Sequence, residues 1–347
     1  MRFVMDEIEL LEGLLQRYSP THQEAEAVKF LVAQLSAAGF AARVDEAGNA
    51  VGVLGSGPIE VMLLGHIDTV PGFIEVRRDA DRLYGRGAVD AKGPLACFAA
   101  ATALVGARDG YRFIVIGAVG EEGDSRGAQW VRDRYKPDYL IIGEPSGWER
   151  VTLGYKGSAW YAYEVKRALT HTSANVESAC QAAVNFWNRV RDYTTQFNAE
   201  RSKMFDQLIP SLREMHSGSD GFMETAALMF NLRVPLGIDR VGLEESIGAL
   251  KADAQLDLIE FTPAYRAEKN TPLVRAFLSA IRQAGGSPGF TVKSGTSDMN
   301  ITAPIWRCPT LAYGPGDSDL DHTPHEHILV SEYQCSVRVL AQVLRAL

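Results

Sequence analysis

Residues 63–93, LLGHIDTVPGFIEVRRDADRLYGRGAVDAKG, decide the architecture of this chain. The aliphatic run Val61, Met62, Leu63, Leu64 reads as a buried strand, and Gly65 ends it so that His66 and Asp68 emerge at its C-terminal edge. Asp90 follows a Gly-rich turn and stands just before a run of small residues that reads as a helix. A histidine, a spacer and an aspartate at such element ends make half of a metal site, which the later chain must complete.

The same device recurs twice downstream. YRFIVIGAVGEEG (111–123) is an apolar strand ending in the pair Glu121-Glu122, and YLIIGEPSG (139–147) places Glu144 directly after a third strand. Around these, amphipathic helices are expected over 5–18 and 22–38, separated by the break Ser19-Pro20-Thr21, and a helix of small residues over 93–105. Short strands are expected over 41–44, 50–54 and 60–64. Helices alternating with apolar strands that carry polar groups at their C-terminal ends indicate an α/β protein with an open mixed sheet and its site at those ends.

From about Leu153 the texture changes to half-exposed strands and amphipathic helices, in the order strand, helix, strand, helix, strand, and it reverts after about Arg266. The reading is a catalytic domain of residues 1–152 and 266–347 with a smaller α+β domain, 153–265, inserted in it. The returning segment is expected to hold a helix over 272–283, a strand and loop over 290–297, a strand over 310–313 and a terminal helix. No internal repeat is found.

A chain of 347 residues is long for one core, which also favours two domains. With 46% hydrophobic and 22% charged residues it is an ordinary globular composition, and a net charge of −8 argues against nucleic acid or an anionic membrane surface as partner. Four cysteines, widely spaced and never in C-x-x-C, make a disulfide framework or structural zinc site an unsuitable reading and fit a reducing compartment. The start MRFVMDEIEL is acidic where a signal peptide is basic and then apolar, and no apolar run approaches the ~20 residues of a membrane span. A soluble, cytoplasmic protein is the expectation.

The chemistry gathers at His66, Asp90, Glu121-Glu122, Glu144 and His322, the last in GDSDLDHTPHEH. Two divalent ions ~3.5–4 Å apart can share one bridging carboxylate, with His and carboxylate ligands on either side. Asp90 is the natural bridge, with His66 and Glu144 on one ion and Glu122 and His322 on the other. Glu121 is then free to take a proton from a water and pass it to a leaving nitrogen. Asp68, two residues after His66, is placed to accept the second N–H of the imidazole. Taken singly these are ordinary histidines and solvated acids; their joint occurrence at successive strand ends makes the case. GRGAVD (85–90) only nearly matches G-x-G-x-x-G, with Asp in the sixth position and outside the first βα turn, so a dinucleotide oxidoreductase is disfavoured. No G-x-S-x-G elbow supports serine hydrolase chemistry.

The blocks GHIDTVPG, GRGAVDAKG, GEEGDSRGA, GEPSG and HTPHE, in that order, resemble the signature of the di-zinc acetylornithine deacetylase, succinyl-diaminopimelate desuccinylase and glutamate carboxypeptidase family. The resemblance runs from about Gln16 to the C-terminus. It implies two divalent metal ions, zinc with cobalt as the alternative, on His66, Asp90, Glu122, Glu144 and His322, with Glu121 as general acid/base and Asp68 in support. His322 is selected over His325 because Glu326 follows it by four residues. A non-proline cis peptide between Asp90 and Ala91 is also implied.

The inserted domain resembles the family's lid and dimerisation domain, which implies a homodimer. There His171 in RALTHTSA matches the histidine that polarises the scissile carbonyl in a partner's site. Arg233 in FNLRVP matches the arginine that clamps a substrate carboxylate, a role suited to its planar fork. KSGTSDMN (293–300) and LIIGEPSGWERVTLGYKG (140–157) resemble one branch, the enzymes that release lysine or ornithine from a small acidic amino-group carrier protein. Ser294, Gly295 and Thr296 become substrate contacts on that resemblance. The asparagine that precedes the lid arginine in desuccinylases is not recognisable here, where Ser219-Asp220 stands nearby, and this weakens the desuccinylase reading. The alternatives are acetylornithine deacetylase or succinyl-diaminopimelate desuccinylase, then a dipeptidase or aminoacylase. A non-catalytic metal-binding relative is the alternative of another class, disfavoured by the complete ligand set and Glu121.

Overall fold

Ile59–His66, Tyr111–Ala118 and Tyr139–Gly143 lie side by side and parallel at the centre of a mixed sheet in the computed structural model, which describes residues 5–347. Every residue from Val61 to Leu64 is buried, as are Phe113–Ala118 and Leu140–Gly143. A parallel strand covered on both faces must be apolar on both, so these strands read as continuous hydrophobic runs rather than alternating ones. Across the sheet the order is Ala41–Val44, Ala50–Leu54, Tyr111–Ala118, Ile59–His66, Tyr139–Gly143, Thr310–Ala312, Arg150–Tyr155. Gly289–Lys293 also pairs with Arg150–Tyr155. The first three strands of that order pair antiparallel, and the sheet turns antiparallel again between Thr310–Ala312 and Arg150–Tyr155.

The helix Lys92–Val105 packs on this sheet with Val330–Ala346 and Glu7–Leu15 against it. Small residues permit the close approach. A Cβ on Gly143 would stand 2.9 Å from the Gly65 Cα and 3.0 Å from the Phe98 ring, so glycine is required where strand, strand and helix meet. Register does the rest of the positioning: His66 pairs with Ala118 and Gly65 with Gly143, so three parallel strands end level with one another.

The chain packs as two compact units. One comprises residues up to Gly154 together with Ala267–Val292 and Ser297–Leu347; the other comprises Tyr155–Arg266 and Lys293–Thr296. The second unit is a four-stranded antiparallel sheet in the order Ile209–Ser219, Met223–Val234, Gly157–Ala168, Gln255–Thr262. Ala179–Asn198 and Arg240–Gly248 bury Phe186, Val190, Leu243 and Ile247 against Tyr161, Tyr163 and Phe230 of that sheet. Tyr163 stacks on Phe186 with ring centroids 4.2 Å apart. Among the described residues no helix is long and apolar enough to cross a membrane.

Several elements depart from the sequence expectations. Residues 19–24 do not begin a helix: His22 takes a left-handed φ of 73°, and the helix starts at Ala25. Ile209–Ser219 is an edge strand whose second half is exposed, which is why its polar sequence gave no signal. Asp298–Trp306 is a helix, opened by a capping box between Ser297 and Asn300 and buried along much of its length.

Candidate metal centre

The level strand ends bring the predicted groups of the first unit together. His66 ends its own strand; Glu121 and Glu122 follow the second by one short turn, in which Gly120 takes a φ of 81°; Glu144 directly follows the third. Asp90 comes from the turn before Lys92–Val105, and the Asp90–Ala91 peptide is cis. His322 comes from a loop after Ser318–Leu320 and holds a left-handed φ of 60°.

Asp90 sits between two histidines. Its Oδ1 lies 3.0 Å from His66 Nε2 and its Oδ2 lies 3.1 Å from His322 Nε2. His322 Nε2 is also 3.0 Å from Glu122 Oε1. A carboxylate that offers one oxygen to each of two imidazoles has the disposition of a bridge. Donor atoms of His66, Asp90 and Glu122 lie within 4.8 Å of one another. Imidazole and carboxylate donors suit zinc, cobalt or manganese, so the residues present fit a divalent cation.

The electrostatics point the same way. Burial pushes Asp90 up, but hydrogen bonds from His322 and His66 overcome it and hold the carboxyl well below its ordinary range. His322, hydrogen-bonded to Asp90 and Glu122, is pushed up to about 10. Burial raises Glu121 well above a normal carboxylate, opposed by His66 and reinforced by Glu144 and Glu122. Glu144 is raised well above its ordinary value by burial and then by Asp90, and Glu122 is raised chiefly by burial. Burial and mutual repulsion make Glu121, Glu122 and Glu144 costly as anions, a cost that a divalent cation offsets.

Asp68 differs from expectation in one respect. The acceptor nearest His66 Nδ1 is the backbone oxygen of Asp68, at 2.9 Å, whereas its carboxylate oxygen Oδ1 is 3.7 Å away. The carboxylate instead accepts from the Glu121 amide at Oδ1 and the Glu122 amide at Oδ2, both at 3.1 Å. The Asp68 carbonyl holds the imidazole most closely, and the carboxylate both faces the imidazole as an ion-pair partner and holds the glutamate loop.

Glu326 entered the sequence reading only as a marker for His322, and its burial was not foreseen. It is fully buried; Oε1 accepts the amides of Val89 (2.9 Å) and Asp90 (3.1 Å), and Oε2 accepts from Arg86 Nη1 at 2.8 Å. Arg86 is itself buried and donates Nε to Gly72 O at 2.8 Å. Glu326→Ala would leave a buried guanidinium and two amides without their acceptor. We expect a loss of about 3–5 kcal/mol of unfolding free energy, read by urea denaturation. A loss below about 1 kcal/mol, the scale of an exposed pair, would contradict a buried one.

Asp298 was likewise missed as a member of this site. It is buried, its Oδ1 has no hydrogen-bond partner, and burial pushes it up to about 7 against the lowering influence of His66. The Ser297 cap was a readable helix start; the charge environment was not.

The second unit holds the remaining predicted residues. His171 is exposed in the loop after Gly157–Ala168, its Nδ1 2.8 Å from Ser173 Oγ. Arg233 Nη1 lies 3.4 Å from Thr296 Oγ1; just before Thr296 in the chain, Ser294 is exposed and Gly295 half-buried. Asp220 turns out to shape a hairpin: its Oδ1 accepts the amides of Phe222 (2.9 Å) and Met223 (2.7 Å).

Comparison with known proteins adds four likenesses. The model of peptidase family M20/M25/M40 matches residues 62–346. A [LysW]-lysine hydrolase of Deinococcus radiodurans is 44% identical over 349 residues, covering 98% of this chain and 96% of its own. A [LysW]-lysine/[LysW]-ornithine hydrolase of Saccharolobus islandicus is 29% identical over 95% of this chain and 92% of its own. Among solved structures, a dinuclear metal-binding M20 peptidase of Bacillus subtilis superposes with a TM-score of 0.73 at 12% identity, over 97% of this chain and 96% of that one.

Proposed function

We propose, from the premise that this chain belongs to peptidase family M20/M25/M40, that it is a hydrolase releasing lysine or ornithine from an amino-group carrier protein in amino-acid biosynthesis. The observation that carries the reading is full-length likeness to hydrolases of carrier-linked lysine, together with the donor cluster around Asp90. The scissile bond is the amide between the γ-carboxyl of the carrier's C-terminal glutamate and the α-amino group of the released amino acid.

His66, Asp90, Glu122, Glu144 and His322 would hold two divalent cations, zinc or cobalt, with Asp90 shared. Bound there, such ions supply Lewis acidity and make a water acidic enough to be a nucleophile near neutral pH. Glu121 takes the proton of the attacking water and returns it to the departing amine. Asp68 keeps Glu121 and Glu122 in register by holding their amides. His171 donates to the oxygen on which charge develops, and Arg233 clamps a carboxylate of the substrate, with Ser294, Gly295 and Thr296 beside it. We further propose a cytoplasmic homodimer, in which the inserted domain supplies the interface.

The test offers the metal-loaded enzyme N-acetylornithine, succinyl-diaminopimelate, and carrier-linked lysine and ornithine side by side. The carrier-linked amides should exceed both small acyl substrates in kcat/KM by about two orders of magnitude or more. Preference for either small substrate overturns the assignment.

A further inference from the structure

The segment Ser19–Glu24, which interrupts the two N-terminal helices, has no part in the chemistry so far described. It is nevertheless built into the site from several sides. Ser19 Oγ donates to Ile67 O at 2.8 Å, Thr69 N donates to Ser19 O at 3.0 Å, and Thr21 N donates to Thr69 O at 3.2 Å. The segment therefore lies along residues 67–69 like an added strand, with Pro20 and Thr69 paired in parallel. At its far end, the buried Glu24 accepts from the His22 amide at 3.0 Å and from Arg126 Nη2 at 2.8 Å. Arg126 stands immediately beyond the loop that carries Glu121 and Glu122.

Thr21 occupies the middle of this strap. Its Oγ1 donates to Asp68 Oδ2 at 2.8 Å, the oxygen that also accepts the Glu122 amide. Asp68 is fully buried. Its Oδ1 lies between two claimants, the Glu121 amide at 3.1 Å and His66 Nδ1 at 3.7 Å. The Thr21 hydroxyl fixes the far oxygen, and so keeps the carboxylate aligned with both amides instead of swinging toward the imidazole. The contact is close-packed: a Cβ on Gly123 would stand 2.9 Å from Thr21 Cγ2.

We propose that Thr21 is a positioning residue for hydrolysis, acting through Asp68 to fix the backbone of Glu121 and Glu122. The inference rests on the roles given above to those two glutamates. Neither Thr21 nor the strap touches substrate in this account; they set the angle at which Glu121 meets the water.

The experiment compares Thr21→Val, which keeps the shape and removes the donor, with Thr21→Ser, which keeps the donor, in the metal-loaded enzyme acting on carrier-linked lysine. Thr21→Val should lower kcat about tenfold, the scale of one hydrogen bond to a charged group, with KM unchanged. Thr21→Ser should restore kcat to near wild type. Should Thr21→Val fail to fold by circular dichroism, Thr21→Ala carries the same prediction. Wild-type kcat without the hydroxyl, equal impairment of the serine variant, or a loss confined to KM would each overturn the inference. Glu121→Gln separates the two levels: full turnover there defeats the reading of the site. An inactive Glu121→Gln beside a normal Thr21→Val defeats this inference alone.

Discussion

Glu121→Gln should lower kcat by about 10²–10⁴-fold while the enzyme retains its wild-type metal content. The substitution preserves the shape and burial of the side chain and removes its ability to accept and return a proton. Burial, reinforced by Glu144 and Glu122, holds the Glu121 carboxyl well above the ordinary carboxylate range. A carboxylate whose proton affinity is raised takes a proton from water more readily than an ordinary one. Steady-state kinetics with parallel elemental analysis gives both readouts. Near-normal turnover would show that another group moves the proton, and lost metal would show that Glu121 is a ligand instead.

Asp90→Ala should behave in the opposite way, losing bound metal and activity together, with kcat/KM down about a thousandfold or more. The expectation follows from the position of its carboxylate, with one oxygen on each histidine at 3.0 and 3.1 Å. A ligand belonging to one ion would cost one ion; a shared ligand costs both. Elemental analysis of the dialysed variant decides between them. Chelation of the unmodified enzyme should silence it as well, and re-addition of a divalent cation should restore it. Activity persisting in a metal-stripped sample would defeat the whole reading of the site.

Much of this site was legible in the sequence because its residues sit at ends of strongly apolar strands. Val61–Leu64, Phe113–Ile116 and Leu140–Ile142 announce three buried strands, and level register turns three positions in sequence into one place in space. The support around these residues was not legible. Glu326 marked His322 in the sequence, but its burial is accounted for only by partners some 240 residues away, Arg86 and the amides of Val89 and Asp90. Thr21 lies in a segment whose composition signals a break between helices, and its partner Asp68 was assigned to the imidazole. Local patterns report periodicity and turns; they do not report which distant polar groups will be sealed together. For the same reason Ile209–Ser219, exposed along its second half and at a sheet edge, gave no strand signal.

The reach of these contacts also sets a timetable for the chain as it is made. The amides of Val89 and Asp90 wait for Glu326, 237 and 236 residues later, whereas the Asp68 carboxylate meets Thr21 across only 47. Synthesis proceeds at ~5–20 residues per second, so the glutamate loop can be ordered well before the last strand and helix emerge. The turn bearing Asp90 cannot be. On a nascent chain the donors from His66 to Glu144 therefore precede the acceptor that closes the Asp90 turn by roughly tens of seconds.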